Sequence, residues 1–187
     1  CDAWGAGHAC KSIAGAIEKS SLPDTYVYIS GHTYTENLTT TLTMHFVGSG
    51  IGSTIVAGGQ VNRVFTITGA GNGGSFTDMT IQNGRVATGN GGGIFTDGGL
   101  LQIDASTMAG NTAADGGGIY NASGSPTIHH TKSRAHSAAP GYYGGGGLIL
   151  HYYDSPTIQN NTLRVNSAPP RGGFDTTSGN PTIPAPY

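Results

Sequence analysis

The side chains best suited to chemistry lie between residues 104 and 134, where Asp104, His129, Lys132 and Arg134 occur. A carboxylate can hold Ca²⁺ and a nearby Lys or Arg can abstract a proton, which together would cleave an acidic polysaccharide by elimination. These four residues are the catalytic candidates, and Ca²⁺ would be a cofactor under this interpretation alone. However, no second set of carboxylates accompanies them, and glycoside hydrolysis needs two. We therefore favour solvated surface side chains and a non-catalytic protein.

A second group of side chains is aromatic and could contact a glycan or another protein. It comprises Tyr142, Tyr143, His151, Tyr152, Tyr153 and Asp154. Aromatic rings stack on sugar rings, but the same tyrosines could pack against a neighbouring loop or another subunit, and packing is slightly favoured. We expect no metal site at His129 and His130, because adjacent strand residues point to opposite faces.

The two cysteines and three glycosylation sequons bear on the cellular compartment. We expect a disulfide between Cys1 and Cys10, which requires an oxidising compartment. The alternative is that Cys1 is the lipid-bearing first residue of a processed lipoprotein. Sequons at Asn37, Asn121 and Asn160 could carry glycans in a secreted or surface-exposed protein.

The elements that position these residues follow from an internal repeat. Gly92-Gly93-Ile94 recurs at 117–119 and, more loosely, at 147–149 and 172–174, in steps of 25, 30 and 25 residues. Nine residues after each anchor stands an isoleucine: Ile103, Ile128, Ile158 and Ile183. Eight residues further on stand Asn111, His136 and Asn166. Three landmarks in fixed register indicate repeated structural units.

Each repeat contains alternating apolar residues, as strands do, and glycines that permit sharp turns. Strands this short cannot bury a face alone, so copies must stack at about 4.8 Å per rung. We predict an all-β, right-handed parallel β-helix with rungs of about 25–30 residues. With 33 Gly and 10% charged residues, the composition disfavours a helical bundle.

The anchors also predict which side chains become neighbours. His129 should lie between Asp104 and Gln159, Lys132 between Thr107 and Thr162, and Arg134 beside Arg164. The first half is less regular, but Ile67 precedes Phe76 by nine residues and is taken as an anchor.

The N-terminal region has a different pattern and predicts a cap. Ile13, Ala14, Ala16 and Ile17 have helical spacing, which indicates a short amphipathic helix that covers the first rung. The predicted organisation is therefore a cap over residues 1–24 and rungs over 25–187. The extra residues of the third copy, 139–143, should form a surface loop.

The rung phrases resemble those of known surface proteins. Gly-Gly-Gly-Ile-Tyr-Asn at 116–121, Ser-Pro-Thr-Ile and Asn-Ser-Ala are similar to the repeats of bacterial polymorphic outer-membrane proteins. The segments 12–17 and 24–37 resemble the cap and first rung of pectin-lyase-like secreted proteins. The resemblance implies a β-helix that is secreted or on the cell surface, in a group that includes adhesins, passenger domains and polysaccharide-active enzymes. Residues 128–134 depart from it, since an Asn-Cys-Thr type of third side is usual there.

The expected function is a non-catalytic extracellular module that is adhesive or forms filaments. Its partners would be further copies of itself or a cell-surface glycan, because a last rung with no covering helix favours assembly unless its prolines blunt that edge. The net charge of −2 offers no footprint for nucleic acid, and no apolar run approaches a membrane span. The alternatives are a polysaccharide-binding or lyase-like protein and, third, an ice-binding protein. The ice-binding alternative would use threonine ladders at Thr127, Thr157 and Thr182 or at Thr80, Thr107 and Thr162.

Overall fold

Short strands separated by tight turns form nearly the whole structure. The computed structural model describes residues 10–69, 73–138, 146–150, 155–164, 166–167 and 174–176. Every strand pair in it is parallel, and each strand pairs with its equivalent in the next rung. The described part of the chain is therefore a parallel β-solenoid with one short helix, which confirms the predicted fold class.

Three six-stranded sheets form the sides of the solenoid. Sheet 1 contains β1 (Thr25–Tyr28), β4 (Met44–Val47), β7 (Gly74–Thr77), β10 (Leu101–Asp104), β14 (Thr127–His129) and β18 (Thr157–Gln159). Sheet 2 contains β2 (Thr33–Thr35), β5 (Ile55–Ala57), β8 (Thr80–Gln82), β11 (Thr107–Ala109), β15 (Lys132–Arg134) and β19 (Thr162–Arg164). Sheet 3 contains β3 (Leu38–Thr40), β6 (Phe65–Ile67), β9 (Ile94–Thr96), β13 (Ile119–Asn121), β17 (Leu148–Leu150) and β20 (Phe174–Thr176). A small fourth sheet pairs β12 (Thr112–Ala113) with β16 (Ser137–Ala138).

The core consists of the inward residues of all three sheets. In the early rungs it is aromatic: the ring of Phe46 lies 5.1 Å from that of Phe65 and 5.2 Å from that of Phe76. Later rungs place aliphatic residues at the same positions, such as Ile103 and Ile128. Because side chains alternate along a strand, each inward ladder fixes an outward ladder on the opposite face.

In four successive rungs the corner between sheets 1 and 2 is made by a single residue in the left-handed conformation. Its φ values are 53° at Asp78, 44° at Ala105, 48° at His130 and 56° at Asn160. One such residue reverses the alternation and redirects the chain into the next sheet. His130 is therefore a corner residue and not part of strand β14.

The paired glycines of the repeat allow close contact between rungs. A Cβ atom on Gly93 would lie 2.5 Å from the carbonyl oxygen of Gly118 and 2.8 Å from Nδ2 of Asn111. Side chains larger than hydrogen cannot fit there. The contact explains why the Gly-Gly motif and the Asn landmark recur together.

The Asn landmark forms a buried polar ladder beside these glycines. The Gly84 N–H donates to Oδ1 of Asn111 at 2.8 Å, and the Asn111 N–H donates to Nδ1 of His136 at 3.1 Å. The His136 N–H then donates to Oδ1 of Asn166 at 3.1 Å. Burial lowers the pKa of His136 to about 4, so its imidazole is neutral at neutral pH.

The predicted helical cap is present as α1 (Ile13–Lys19), which packs against β1 and β3. The Ser12 hydroxyl accepts the Gly15 N–H at its N-terminus. The carboxylate of Glu36 accepts the N–H groups of Ile13 and Ala14, at 3.0 and 2.8 Å. The first rung therefore holds the helix in place over its own edge.

The strand register confirms most predicted neighbours and corrects one. His129 lies between Asp104 and Gln159, Lys132 between Thr107 and Thr162, and Arg134 beside Arg164. The anchor at Ile67 was wrong. Phe65 pairs with Ile94, and Ile67 pairs with Thr96. The reason is that the connection from Phe65 to the aligned Phe76 is two residues longer than that from Ile94 to Ile103.

Candidate functional site

The outer face of sheet 1 carries two continuous ladders of side chains. The Tyr26 ladder consists of Tyr26, His45, Ser75, Gln102, Thr127 and Thr157. The Tyr28 ladder consists of Tyr28, Val47, Thr77, Asp104, His129 and Gln159. All twelve residues are exposed or half-buried, so both ladders are open to solvent along six strands. We take this face as the candidate site.

One end of this face is aromatic. Tyr26 is 58% exposed and Tyr28 is 77% exposed. The ring of Tyr26 stacks on the imidazole of His45, with centroids 4.4 Å apart and planes at 25°. The ring of Tyr28 lies 6.2 Å from that of Tyr26 at 20°. Three nearly parallel rings thus project from two adjacent rungs.

Polar contacts fix the orientation of the His45 ring. Its Nδ1 atom lies 2.9 Å from the hydroxyl oxygen of Ser75 in the next rung. Its Nε2 atom lies 3.7 Å from a carboxylate oxygen of Asp24, which is on the opposite side along the ladder. The Ser75 hydroxyl therefore orients the ring that supports Tyr26, and a carboxylate lies near the other nitrogen of that ring.

The other end of the face is polar and contains two of the catalytic candidates. Asp104 and His129 are neighbours in register, but the close partner of Asp104 is His130, with Oδ1 and Nδ1 3.1 Å apart. The two histidine rings lie 6.1 Å apart, so the argument that alternation separates them was wrong: His130 occupies the corner. The His129 Nε2 atom is buried and has no hydrogen-bond partner among the described residues.

The other two catalytic candidates belong to a different face. Lys132 and Arg134 are the exposed residues of β15 in sheet 2, beyond the corner at His130. The structure therefore brings Asp104 and His129 together and places Lys132 and Arg134 on the adjoining side. No group of three or more His, Cys, Asp or Glu that could hold a metal ion occurs within the described ranges.

The three sequons differ in exposure. Asn121 faces the interior and is 0% exposed. The Asn37 amide donates to the carbonyl oxygens of Gly58 and Arg63. Asn37 and Asn160 are both exposed, and Nδ2 of Asn160 lies 3.4 Å from Nε2 of His130.

The threonine ladders exist in part. Thr127 pairs with Thr157 on the outer face of sheet 1. Thr80 pairs with Thr107 in sheet 2, but they are 8% and 7% exposed, and Lys132 separates Thr107 from Thr162. The sheet 2 ladder therefore presents little threonine surface to water.

Several predicted positions lie outside the described residues. They are Cys1, Thr182 and the aromatic group Tyr142, Tyr143, His151, Tyr152, Tyr153 and Asp154. The disulfide to Cys10, the loop at 139–143 and the aromatic contact site therefore stay predictions.

Sequence reasoning missed the site at Tyr26, Tyr28 and His45. The alternation Tyr26-Val27-Tyr28 predicts two rings on one face, which was the available signal. The pairing with His45 was hidden because β1 and β4 are offset by 19 residues, outside the 25- and 30-residue steps of the later copies.

Comparison with known proteins gives no family assignment: no family model matches the sequence, and no curated protein matches it. Among the described residues, no helix is long and apolar enough to cross a membrane.

Proposed function

We propose that this chain is a non-catalytic extracellular module that adheres to polysaccharide through the outer face of sheet 1. The observation that carries the proposal is the pair of uninterrupted ladders that begin at Tyr26 and Tyr28. They form a long, regular and solvent-exposed surface on a scaffold with a packed core.

The chemistry of the face suits a sugar polymer. Its centre consists of hydroxyl and amide side chains, including Ser75, Gln102 and Thr127, which can both donate and accept hydrogen bonds. A polysaccharide offers hydroxyl groups at a regular spacing, and stacked rungs offer partners at a spacing of about 4.8 Å. The net charge of −2 gives no strong attraction to a highly charged partner.

The division of the catalytic candidates between two faces favours binding over cleavage. Asp104 lies on sheet 1, whereas Lys132 and Arg134 lie on sheet 2. Under the lyase alternative, incubation with acidic polysaccharide and Ca²⁺ releases unsaturated products, and Lys132→Ala or Arg134→Ala abolishes their release. We expect no such products.

The extracellular part of the proposal has separate support. The rung phrases resemble those of bacterial surface proteins, and a Cys1–Cys10 disulfide would be stable in an oxidising compartment. Mass spectrometry of the mature protein before and after reduction tests the disulfide. Reduction of a Cys1–Cys10 disulfide raises the mass by two hydrogens, whereas a lipid on Cys1 would exclude the disulfide.

The adhesion proposal is tested by depletion of the protein from solution by insoluble cellulose, chitin, xylan and mannan. Gln102→Lys places a flexible charge in the centre of the face, and we expect it to weaken binding at least about tenfold, or about 1.4 kcal/mol. Gln82→Lys on the outer face of sheet 2 is the matched control. Absence of binding by the unmodified protein, or an equal loss in both variants, contradicts the proposal.

A further inference from the structure

We propose that Tyr26 and Tyr28 form a binding platform for neutral pyranose sugars at the rim of the first rung. The proposal rests on the proposed polysaccharide adhesion and deepens it, because it names a site and a ligand class. The platform also differs in position from the proposed adhesive face, because it lies at one end of the two ladders and not along their length.

The two tyrosine rings project from one strand, and their planes are nearly parallel. The ring of Tyr26 faces His45 of the next rung, so the normal to its plane follows the direction in which the rungs stack. Tyr28 lies two residues further along the same strand, a displacement across that direction. With 20° between their planes and 6.2 Å between centroids, the rings present one broad aromatic surface.

One face of this surface is supported and the other is open. Behind the platform, His45 stacks on Tyr26, and Val47 is paired with Tyr28. In front of it the described sheet ends, because β1 is the terminal strand of sheet 1. Although α1 contacts β1, the two rings keep exposures of 58% and 77%.

The support orients Tyr26, the inner ring of the platform, before a ligand arrives. The Ser75 hydroxyl and the Asp24 carboxylate lie at the two nitrogen atoms of His45, and His45 in turn positions Tyr26. Tyrosine has two side-chain torsions, so little conformational entropy remains to be lost on binding. A preordered aromatic surface therefore binds more tightly than its area alone predicts.

The chemistry at the rim selects the class of sugar. Stacking requires a pyranose with a continuous face of axial C–H groups, which carry partial positive charge and meet the negative face of an aromatic ring. The exposed Asp24 carboxylate lies 3.7 Å from Nε2 of His45, the ring that stacks on Tyr26, and can accept hydrogen bonds from sugar hydroxyls. The same carboxylate repels uronic acids, so neutral, β-linked gluco- or galacto-configured chains are the expected ligands.

The test measures binding of soluble cellotetraose, β-1,4-galactotetraose and tetragalacturonate to the full chain by calorimetry. We expect at least one neutral tetrasaccharide to bind, and binding to weaken at least about tenfold in Tyr28→Ala, or about 1.4 kcal/mol. Tyr28→Phe keeps the ring and should stay within about threefold. Val61→Ala is the control, because Val61 is also 77% exposed and lies elsewhere.

Other outcomes overturn the platform. Equal binding by Tyr28→Ala is one of them, and preference for tetragalacturonate is another. The third is loss of dimers in Tyr28→Ala when neither neutral sugar binds, because that result would assign the rings to contact with a second copy of the chain. Circular dichroism of each variant confirms that the fold is retained. If Gln102→Lys loses polymer binding while Tyr28→Ala keeps it, adhesion along the ladders stands and the platform fails. If tetrasaccharide binding requires Tyr28 but no polymer binds, the platform stands and adhesion along the ladders fails.

Discussion

The replacement His136→Asn should remove an acid sensitivity that is built into the core. His136 occupies a position that Asn111 and Asn166 fill in the adjoining rungs, and it accepts the same type of backbone hydrogen bond. Burial lowers its pKa from 6.5 to about 4, whereas in the unfolded chain it titrates normally. Between these two values the unfolded state binds more protons than the folded state. The free energy of unfolding must therefore decrease as the pH falls from about 6.5 to about 4.

The size of the effect follows from the shift in pKa. Relative to pH 7.5, the His136 contribution should lower the free energy of unfolding by about 1 kcal/mol at pH 5.5 and by about 2–3 kcal/mol at pH 4.5. Asparagine does not titrate, and its amide can both accept and donate in the ladder. The variant should lack this part of the pH dependence.

Urea unfolding at pH 7.5, 5.5 and 4.5 measures the effect in both proteins. His32→Asn is the matched control, since His32 is an exposed histidine outside the buried ladder. The control should retain the pH dependence of the parent protein. Equal losses of stability in the parent protein and in His136→Asn at pH 5.5 would refute the reasoning.

Three further substitutions test the fold. Glu36→Gln should weaken the cap by about 1 kcal/mol and raise amide exchange in α1, while Glu18→Gln, on the exposed side of the helix, should not. Gly93→Ala should destabilise by about 3 kcal/mol or prevent folding, because its methyl group meets backbone; Gly31→Ala, which makes ordinary contacts, should be tolerated in thermal denaturation. Ser133→Val should stabilise by about 1 kcal/mol, because this inward serine lines a small apolar cavity; an unchanged melting temperature would contradict that.

The regular half of the fold could be predicted because one physical constraint repeats there. Gly93 and Gly118 are required by backbone contact, and Asn111 by the ladder beside them, so the landmarks recur at fixed spacing. Once these were aligned, the neighbours of His129 and Lys132 followed directly. The strand register could therefore be predicted from the sequence wherever the turns of successive rungs were equal in length.

The rest depended on turns whose lengths vary. The longer connection after Phe65 displaced the anchor at Ile67. The left-handed corner at His130 moved that side chain out of the strand, which simple alternation does not anticipate. The aromatic site at Tyr26 arises from a 19-residue offset that matches no later copy. Turn length is a local property that a repeat pattern does not encode, and the corner residues share a backbone conformation but not a residue type.

The parallel pairing of rungs has a mechanical consequence. All described interstrand hydrogen bonds run along the solenoid axis, from each rung to the next. A pull along that axis loads one rung's bonds at a time and peels the stack from its end at low force. A pull along the strand direction shears many bonds together and meets much higher resistance. Under the proposed adhesion through sheet 1, the direction of the applied force therefore sets how much force the solenoid survives.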